Sequence, residues 1–492
     1  QWSESNSTNH IIEILKSMPK TINIQEIQNI ILSHKDTAVK LKRTTYKDRI
    51  KKLNSIVSYL QDKNNEQRLM EAMKIDLGRH TVEVLLSEIG VINNVAKYIK
   101  RNLKEWMKNE RVTTSISLLG ASSYIIKEPK GSTLIIAPWN YPLQLGIVPL
   151  CYAIAAGNTA VIKPSEYSSA TSAYMATMIA QIFDPKEITV VQGAVEETKI
   201  LLDLPWDHIY FTGSTRVGKI IMKAAAERLS SVTLELGGKS PCIIDNSANI
   251  ASVAKKLTWG KFLNNGQTCI APDYVLVPNK MKSSLVAELK KEVKTQLDPK
   301  GIGSQANEDY GHIISDRHHS RCVSLLEDAI QKGAIIITGG EYDAISRFFA
   351  PTVLDNVTDD MKIMQEEIFG PILPIIGYTS KEEVINIIDN KPKPLALYIQ
   401  SKDQKSIAFF IENTTAGGTV INDFMIHYAN PHLPFGGVNN SGIGKSHGYY
   451  GFQEFTNERA VMRQRFGATS LLHPPFTSRS EKLARLLGKW LS

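Results

Sequence analysis

From residue 131 onward the chain alternates short β-branched runs with helix-length stretches, and this rhythm limits it to parallel sheets with crossover helices. The runs are Thr133 to Ala137, Thr159 to Ile162, Ile188 to Val191, His208 to Thr212 and Val232 to Leu236, separated by stretches at 143–156, 168–183, 195–203 and 214–228. Strands that recur about every 25 residues with a helix between them pair in parallel, so a five-stranded parallel sheet is expected. A second alternation predicts a second α/β domain, with strands at Tyr274 to Val277, Ala334 to Ile337, Ile372 to Ile376, Leu395 to Tyr398 and Gly418 to Ile421 and helices at 280–297, 317–332 and 403–412. Ahead of both lies a helical segment, residues 26–110, with Ile50, Leu53, Ile56, Val57 and Leu60 at helical spacing.

One stretch imitates a membrane span. Leu134 to Ile162 is 29 residues without a charge, longer than the roughly 20 that cross a bilayer. Pro138, Pro142, Pro149 and Gly157 interrupt it, so a strand, a turn and a buried helix explain it better. Length and composition agree: 492 residues, 42% hydrophobic and 22% charged, describe a soluble multidomain protein. The four cysteines, Cys151, Cys242, Cys269 and Cys322, form no CxxC pair and no cluster with histidine. That argues against a disulfide framework and a structural metal site, and for a reducing, cytoplasmic location. The first residues carry no signal-type apolar core.

Candidate chemistry collects at the ends of the expected strands. Gly213 to Lys219 has phosphate-loop spacing, but Ile220 follows where a magnesium-binding hydroxyl is needed. The turn Gly213, Ser214, Thr215, Arg216, Val217, Gly218 instead opens a helix whose free amides suit a dinucleotide pyrophosphate, although such turns also arise for structural reasons. Lys163 and Glu166 follow the strand ending at Ile162, where they either bond ribose hydroxyls or lie in a solvated loop; a carboxylate there repels the extra phosphate of NADP. Cys269 sits in the polar loop Asn264-Asn265-Gly266-Gln267-Thr268, either as a nucleophile or as a small buried hydrophobe. Glu235, flanked by leucines, is either a structurally paired carboxylate or a general base with a raised pKa. Asn140 donates to an oxyanion or caps the following helix.

Seven ordered motifs then resemble the aldehyde dehydrogenases over residues 26–475: Pro138-Trp-Asn-Tyr-Pro142, Gly157 to Glu166, Phe211 to Thr215, Leu234 to Pro241, Gly266-Gln-Thr-Cys269, Gln365 to Pro371 and Leu433 to Gly437. Ala271-Pro-Asp-Tyr274, Lys393 to Tyr398 and His473-Pro-Pro475 are similar to the class-3, fatty-aldehyde branch, while Asn439 and the Tyr428 to His432 loop depart from it. The resemblance implies a Rossmann-like NAD domain from 26–111 and 131–235, a catalytic domain from 236–430, a β oligomerisation arm from 112–130 and 440–468, and a tail from 469–492. It implies Cys269 as nucleophile, Glu235 as base for thioester hydrolysis, and Asn140 with the Cys269 amide as oxyanion donors. NAD, with NADP acceptance left open, would be held by Lys163, Glu166, residues 213–218, Glu367 and Phe369, with no metal. The substrate would be a medium-chain, long-chain or other hydrophobic aldehyde and the assembly a homodimer without nucleic acid. A coenzyme A-acylating relative, which lacks the glutamate base, and a catalytically retired structural homologue are the alternatives.

In the tail, Leu483, Leu486, Leu487, Trp490 and Leu491 fall on one helical stripe and Ser478 to Glu481 has capping-box spacing. The stripe suits packing, guarding a substrate tunnel, or peripheral contact with a membrane. The net charge of +8 divides unevenly: residues 35–52 hold eight basic and two acidic side chains, residues 478–492 four and one, leaving 8 − 6 − 3 = −1 elsewhere. Two local basic surfaces are therefore expected.

Overall fold

The computed structural model describes residues 24–115, 118, 120–466 and 473–491. Its first sheet runs in the order Gly442–Ile443, Ser231–Leu236, His208–Gly213, Ser132–Ile136, Thr159–Lys163, Ile188–Val190. The five strands expected from the sequence are all there and parallel, linked by helices Gln144–Ala156, Ser169–Ile182, Val195–Leu202 and Thr215–Ala226. The sixth strand, only two residues long, joins antiparallel from far along the chain. It is too short to leave a periodic signal.

The charge-free stretch is a buried strand, a turn and the helix Gln144–Ala156, ended by Gly157 at φ 92°. No helix among the described residues is long and apolar enough to cross a membrane.

The second sheet is Ile335–Thr338, Thr352–Asp355, Ile372–Tyr378, Tyr274–Pro278, Pro241–Ile244, Ala396–Gln400, Gly418–Ile421. Two strands, Pro241–Ile244 and Thr352–Asp355, escaped the sequence reading because a run of four residues fits a helix or a loop equally well. The expectation of a wholly parallel sheet also fails at the edge, where Ile335–Thr338 runs antiparallel to Thr352–Asp355. Their connection contains no α-helix, and a parallel pair requires a long crossover. A third, antiparallel sheet joins Glu110–Val112, Ala121–Pro129 and Thr456–Gln464, the last two paired over nine residues. Residues 442–454, which the sequence reading assigned to this arm, turn back instead: Gly448–Glu454 packs with Gly451 against the Tyr152 ring.

The leading helices belong to the first domain's core. Leu53, Ile56, Leu69, Ile92 and Ile99 cluster with Leu150, Ile154, Met175 and Ile179 on one face of the first sheet, and Ile27 and Ile31 join Leu134, Val161 and Trp206 on the other. Part of the basic surface expected from 35–52 is consumed by this packing. Arg49 is buried and donates to the Ala155 carbonyl at 2.8 Å, Lys42 pairs with Glu128 and Lys52 with Glu187, each at 2.7 Å. A periodicity argument counts charges but cannot see these partners.

The tail forms the helix Ser478–Leu491, but the cap differs from expectation. Thr477 rather than Ser478 accepts from the Ser480 amide, at 3.3 Å, and Glu481 pairs with Arg485. Of the stripe, Leu486 is exposed and Leu483 half-buried, while the side chains of Leu487, Trp490 and Leu491 lie outside the described residues, as does the chain before residue 24.

Asp76 shows how the leading segment is fastened. Its carboxylate, 5% exposed, accepts from the Ala170 amide (3.1 Å), the Thr171 amide (2.8 Å) and the Thr171 hydroxyl (2.7 Å), serving as an external cap for the helix Ser169–Ile182, whose own Ser168 makes no capping bond. Asp76→Ala should lower unfolding free energy by about 2–3 kcal/mol, measured by urea denaturation, because charge-assisted bonds to orphan amides are lost together.

Candidate active site

The chain leaves the first sheet at Leu236 and enters the second at Pro241, so the carboxyl edge of one sheet faces the amino edge of the other across Gly237-Gly238-Lys239-Ser240. The expected site residues come from strand ends (Glu235, Lys163, Gly213), the first turn of the helix Thr215–Ala226 and the loops between elements. A side chain at Gly237 would lie 2.3 Å from the Glu367 carboxylate, and Gly238 takes φ 156° against the backbone of Pro394. Lys239 then plunges inward to Asp273 (2.5 Å) and to the carbonyls of Ile363 (2.7 Å) and Glu366 (3.0 Å), while Asp273 accepts from the Ile368 amide (3.0 Å). This buried pair fixes the loop that carries Glu367 and Phe369.

Cys269 is placed by three successive left-handed residues, Asn264 (φ 50°), Asn265 (φ 54°) and Gly266 (φ 71°), types that tolerate this conformation best. Gly266 has no alternative, since a Cβ there would stand 2.3 Å from the Gly370 carbonyl. Asn140 donates to the Gln267 carbonyl at 3.0 Å and its own carbonyl accepts from Asn264 at 2.9 Å. Tyr141 meets the Thr268 hydroxyl at 2.8 Å. The asparagine loop and the cysteine loop are thus laced together.

A cavity of about 640 Å³ opens above them, lined by Cys269 and Glu235 and by apolar side chains including Val82, Leu86, Leu145, Trp259, Phe262 and Met425. The structure therefore brings Cys269 and Glu235 to one cavity. Asn140 is not among the residues that line it; it is buried, with one amide hydrogen spent on Gln267. Burial pushes the Cys269 thiol up to about 12, the Glu367 and Glu235 carboxylates add to this, and the amides of Cys269 and Ile270 oppose it. Glu235 is 5% exposed with neither oxygen hydrogen-bonded among the described residues; burial raises its carboxyl to about 8, against the pull of Ser446 and Lys445. Burial and the nearby Asp273 raise Glu367 to about 8 as well.

On the other side of the junction, Lys163 is buried and donates to the Pro164 carbonyl (2.8 Å) and to the more exposed Glu166 (3.2 Å). Gly213 and Ser214 open the helix Thr215–Ala226, with Ser214 accepting from the Val217 amide at 3.4 Å. The members of this turn divide: Ser214 and Arg216 are exposed, the Thr215 hydroxyl is committed to the Asn440 carbonyl at 2.8 Å, Val217 packs with the core, and Gly218 lets the helix approach Leu236. Phe369, at φ 49°, meets the Trp139 ring at 5.3 Å; Trp139 meets His318 at 4.8 Å, and His318 meets Tyr167 at 5.1 Å. This aromatic line runs from the Glu166 turn to the Glu367 loop.

Sequence reasoning missed a second buried network beneath the cavity. Arg79 donates to Glu88 (2.8 Å) and Ser87 (2.7 Å) and lies 4.5 Å over the Tyr141 ring. Glu88 accepts from the Gln144 amide (2.7 Å), and Glu83 from the Asn264 amide (2.9 Å). The segment that carries Ser87 and Glu88, Leu85–Ile89, is a turn of π-helix, a form that gathers at functional sites. No local signal marks these residues, because their partners lie 56 and 181 positions away. Lys239 and Asp273 stood inside quoted motifs, yet nothing in their spacing announced that they pair.

The aldehyde dehydrogenase family matches residues 13–461. The 4,4'-diaponeurosporen-aldehyde dehydrogenase of Staphylococcus aureus is 45% identical over 87% of this chain and 92% of its own. Aldehyde dehydrogenase family 3 member A2 of Pongo abelii is 41% identical over 87% of each. A solved structure of Staphylococcus aureus AldH in a substrate-bound state superposes with a TM-score of 0.88 at 41% identity, covering 94% of this chain and 99% of that one. With the motifs, the two-sheet junction and these similarities in agreement, the chain belongs to the aldehyde dehydrogenase family.

Proposed function

We propose that the protein oxidises hydrophobic aldehydes of medium or long chain to carboxylic acids through a covalent intermediate on Cys269. The observation that carries this reading is the shared cavity: an unpaired, desolvated Glu235 and Cys269 line one apolar chamber. Relatives named for a diaponeurosporen-aldehyde and for aldehyde dehydrogenase family 3 support the apolar substrate class.

The cofactor of this reading is NAD, with NADP as the second candidate. The residues present fit a dinucleotide: the helix Thr215–Ala226 opens with the orphan amides of a helix N-terminus, Lys163 and Glu166 pair where ribose hydroxyls would lie, and the Gly237 cradle admits the Glu367 carboxylate where a side chain would exclude it. When bound, NAD supplies the hydride acceptor. Cys269 attacks the aldehyde carbon, its thiol proton leaving as the carbon–sulfur bond forms. The remaining Asn140 amide hydrogen and the Cys269 backbone amide hold the oxyanion, and after hydride loss Glu235 takes a proton from the water that hydrolyses the thioester. The hydrolytic base also favours this reading over acyl transfer to coenzyme A. The three-stranded sheet, with strand Thr456–Gln464 at its edge, is the part suited to bind a second subunit, and a homodimer belongs to the same proposal.

Because Glu235 is raised to about 8, the base form appears only as pH climbs through that value, so steady-state turnover limited by hydrolysis should rise with pH across 7 to 9. Glu235→Gln should keep a single-turnover burst of NADH, lose steady-state turnover by about 10²-fold or more, and lose this pH limb; stopped-flow absorbance would show it, and undiminished steady-state hydrolysis would refute the role. Across aldehydes from two to twelve or so carbons, kcat/KM should rise by up to about fourfold per added methylene until the cavity is filled, since each buried CH₂ contributes about 0.8 kcal/mol. Cys269→Ala should abolish the NADH signal throughout the series.

A further inference from the structure

Polar side chains are few in the wall of the chamber, and most have spent their hydrogens. The Thr258 hydroxyl donates to the Ala254 carbonyl at 2.9 Å, the Ser87 hydroxyl to the Glu83 carbonyl at 2.6 Å and the Tyr310 hydroxyl to the Phe349 carbonyl at 3.0 Å. The Asn264 side-chain amide donates to the carbonyls of Asn140 (2.9 Å) and Gln267 (3.2 Å). Gln144 differs. It lines the same chamber and is 4% exposed, yet the hydrogens on its Nε2 meet no acceptor among the described residues. Nor is this nitrogen sealed: the side-chain atoms that lack both a partner and contact with solvent include both Glu235 oxygens and Nζ of Lys261, but no atom of Gln144.

Two bonds fix the direction of the amide. The Glu88 carboxylate accepts from the Gln144 backbone amide at 2.7 Å, at the first residue of the helix Gln144–Ala156, and the Tyr428 hydroxyl donates to Oε1. With the side-chain amide turned round, the Tyr428 hydrogen would lose that acceptor. Oε1 is thus consumed by the wall and Nε2 is left to the chamber.

Gln144 belongs to the nucleophile's end of the cavity. Tyr141, just ahead of the helix, meets the Thr268 hydroxyl at 2.8 Å, beside Cys269, and a negative charge on Cys269 is near enough to disfavour ionisation of Tyr428. A chain bonded at Cys269 therefore meets the amide close to its reacting end. Methylenes would strip water from Nε2 and return nothing, whereas an oxygen in the chain would accept its hydrogen. That oxygen is a neutral one. Glu83 and Glu235 share the chamber, and Arg79 beneath it is committed to Glu88 and Ser87, so a second carboxylate on the substrate would go unpaired.

We infer that Gln144 selects, among hydrophobic aldehydes, those whose chain carries a neutral acceptor oxygen, an ether, hydroxyl or keto group, with Nε2 donating to it. The inference rests on the dehydrogenase reading above and narrows its substrate class. Gln144 touches the chain and not the reacting carbon, so its effect is on the choice between substrates.

The test uses the full chain with NAD and compares octanal with isosteres in which one methylene, walked from the fourth to the seventh chain atom, is replaced by an ether oxygen. The quantity read is kcat/KM for the best isostere divided by kcat/KM for octanal. Gln144→Leu should lower this ratio about tenfold, the isostere losing its donor while octanal gains about threefold because its chain no longer dehydrates an amide. A ratio that moves by less than about twofold at every oxygen position overturns the inference, and so does an equal loss with octanal and isosteres, which would make Gln144 a support of the nucleophile's loop. Should the Leu variant not fold, Tyr428→Phe keeps Gln144 but frees its amide to turn. There the ether ratio should fall about threefold, while an isostere bearing a hydroxyl, which both donates and accepts, keeps its ratio; an unmoved ether ratio, or an equal fall for the hydroxyl isostere, overturns the inference as well. A wild-type enzyme that forms no NADH sinks the reading beneath and this inference with it, whereas normal wild-type oxidation of octanal with an unmoved ratio in the variants sinks this inference alone.

Discussion

Everything at the site depends on a four-residue crossing, Gly237 to Ser240, in which the backbone passes between two sheets with no space for a side chain at its first two residues. Two glycines let it pass the Glu367 carboxylate and the Pro394 backbone, and the next residue, Lys239, anchors it through Asp273. The crossing joins Glu235, at the end of one sheet, to the loop bearing Glu367 and Phe369 at the start of the other. A buried ion pair of this kind contributes little net stability compared with apolar packing, but removing one partner leaves an uncompensated charge costing about 3–5 kcal/mol. The pair therefore specifies geometry more than it adds stability.

Dryness sets the chemistry. Cys269, Glu235 and Glu367 each move away from their charged forms because burial penalises charge, and each anion would raise the others further. Burial thus favours the protonated thiol of Cys269 at neutral pH. The same dryness raises the Glu235 carboxyl to about 8.

The helical segment before the first sheet is part of the site rather than an appendage. Arg79, Glu83 and Glu88 hold the Tyr141 and Asn264 loops from below, and Val82 and Leu86 line the chamber from the same short stretch. Leu86 is 71% exposed and Val82 54%, so the chamber's rim presents apolar surface. The Asn140 and Cys269 loops and the chamber wall thus share one support.

The sequence alone determined the first sheet strand by strand, the second domain in outline, and the identity of Cys269, Glu235 and Asn140 as candidates. Those features are written in local periodicity and in motifs of contiguous residues. Tertiary structure decided what depends on distant partners: the antiparallel edge strand, the buried Arg49, and the Arg79 and Lys239 networks. It also divided the Gly213 to Gly218 turn into exposed and packed residues, which the motif treats alike. The physical reason is range. Backbone preference and amphipathic spacing act over a few residues, whereas desolvation, ion pairing and cavity shape arise only when segments 50 to 300 positions apart meet.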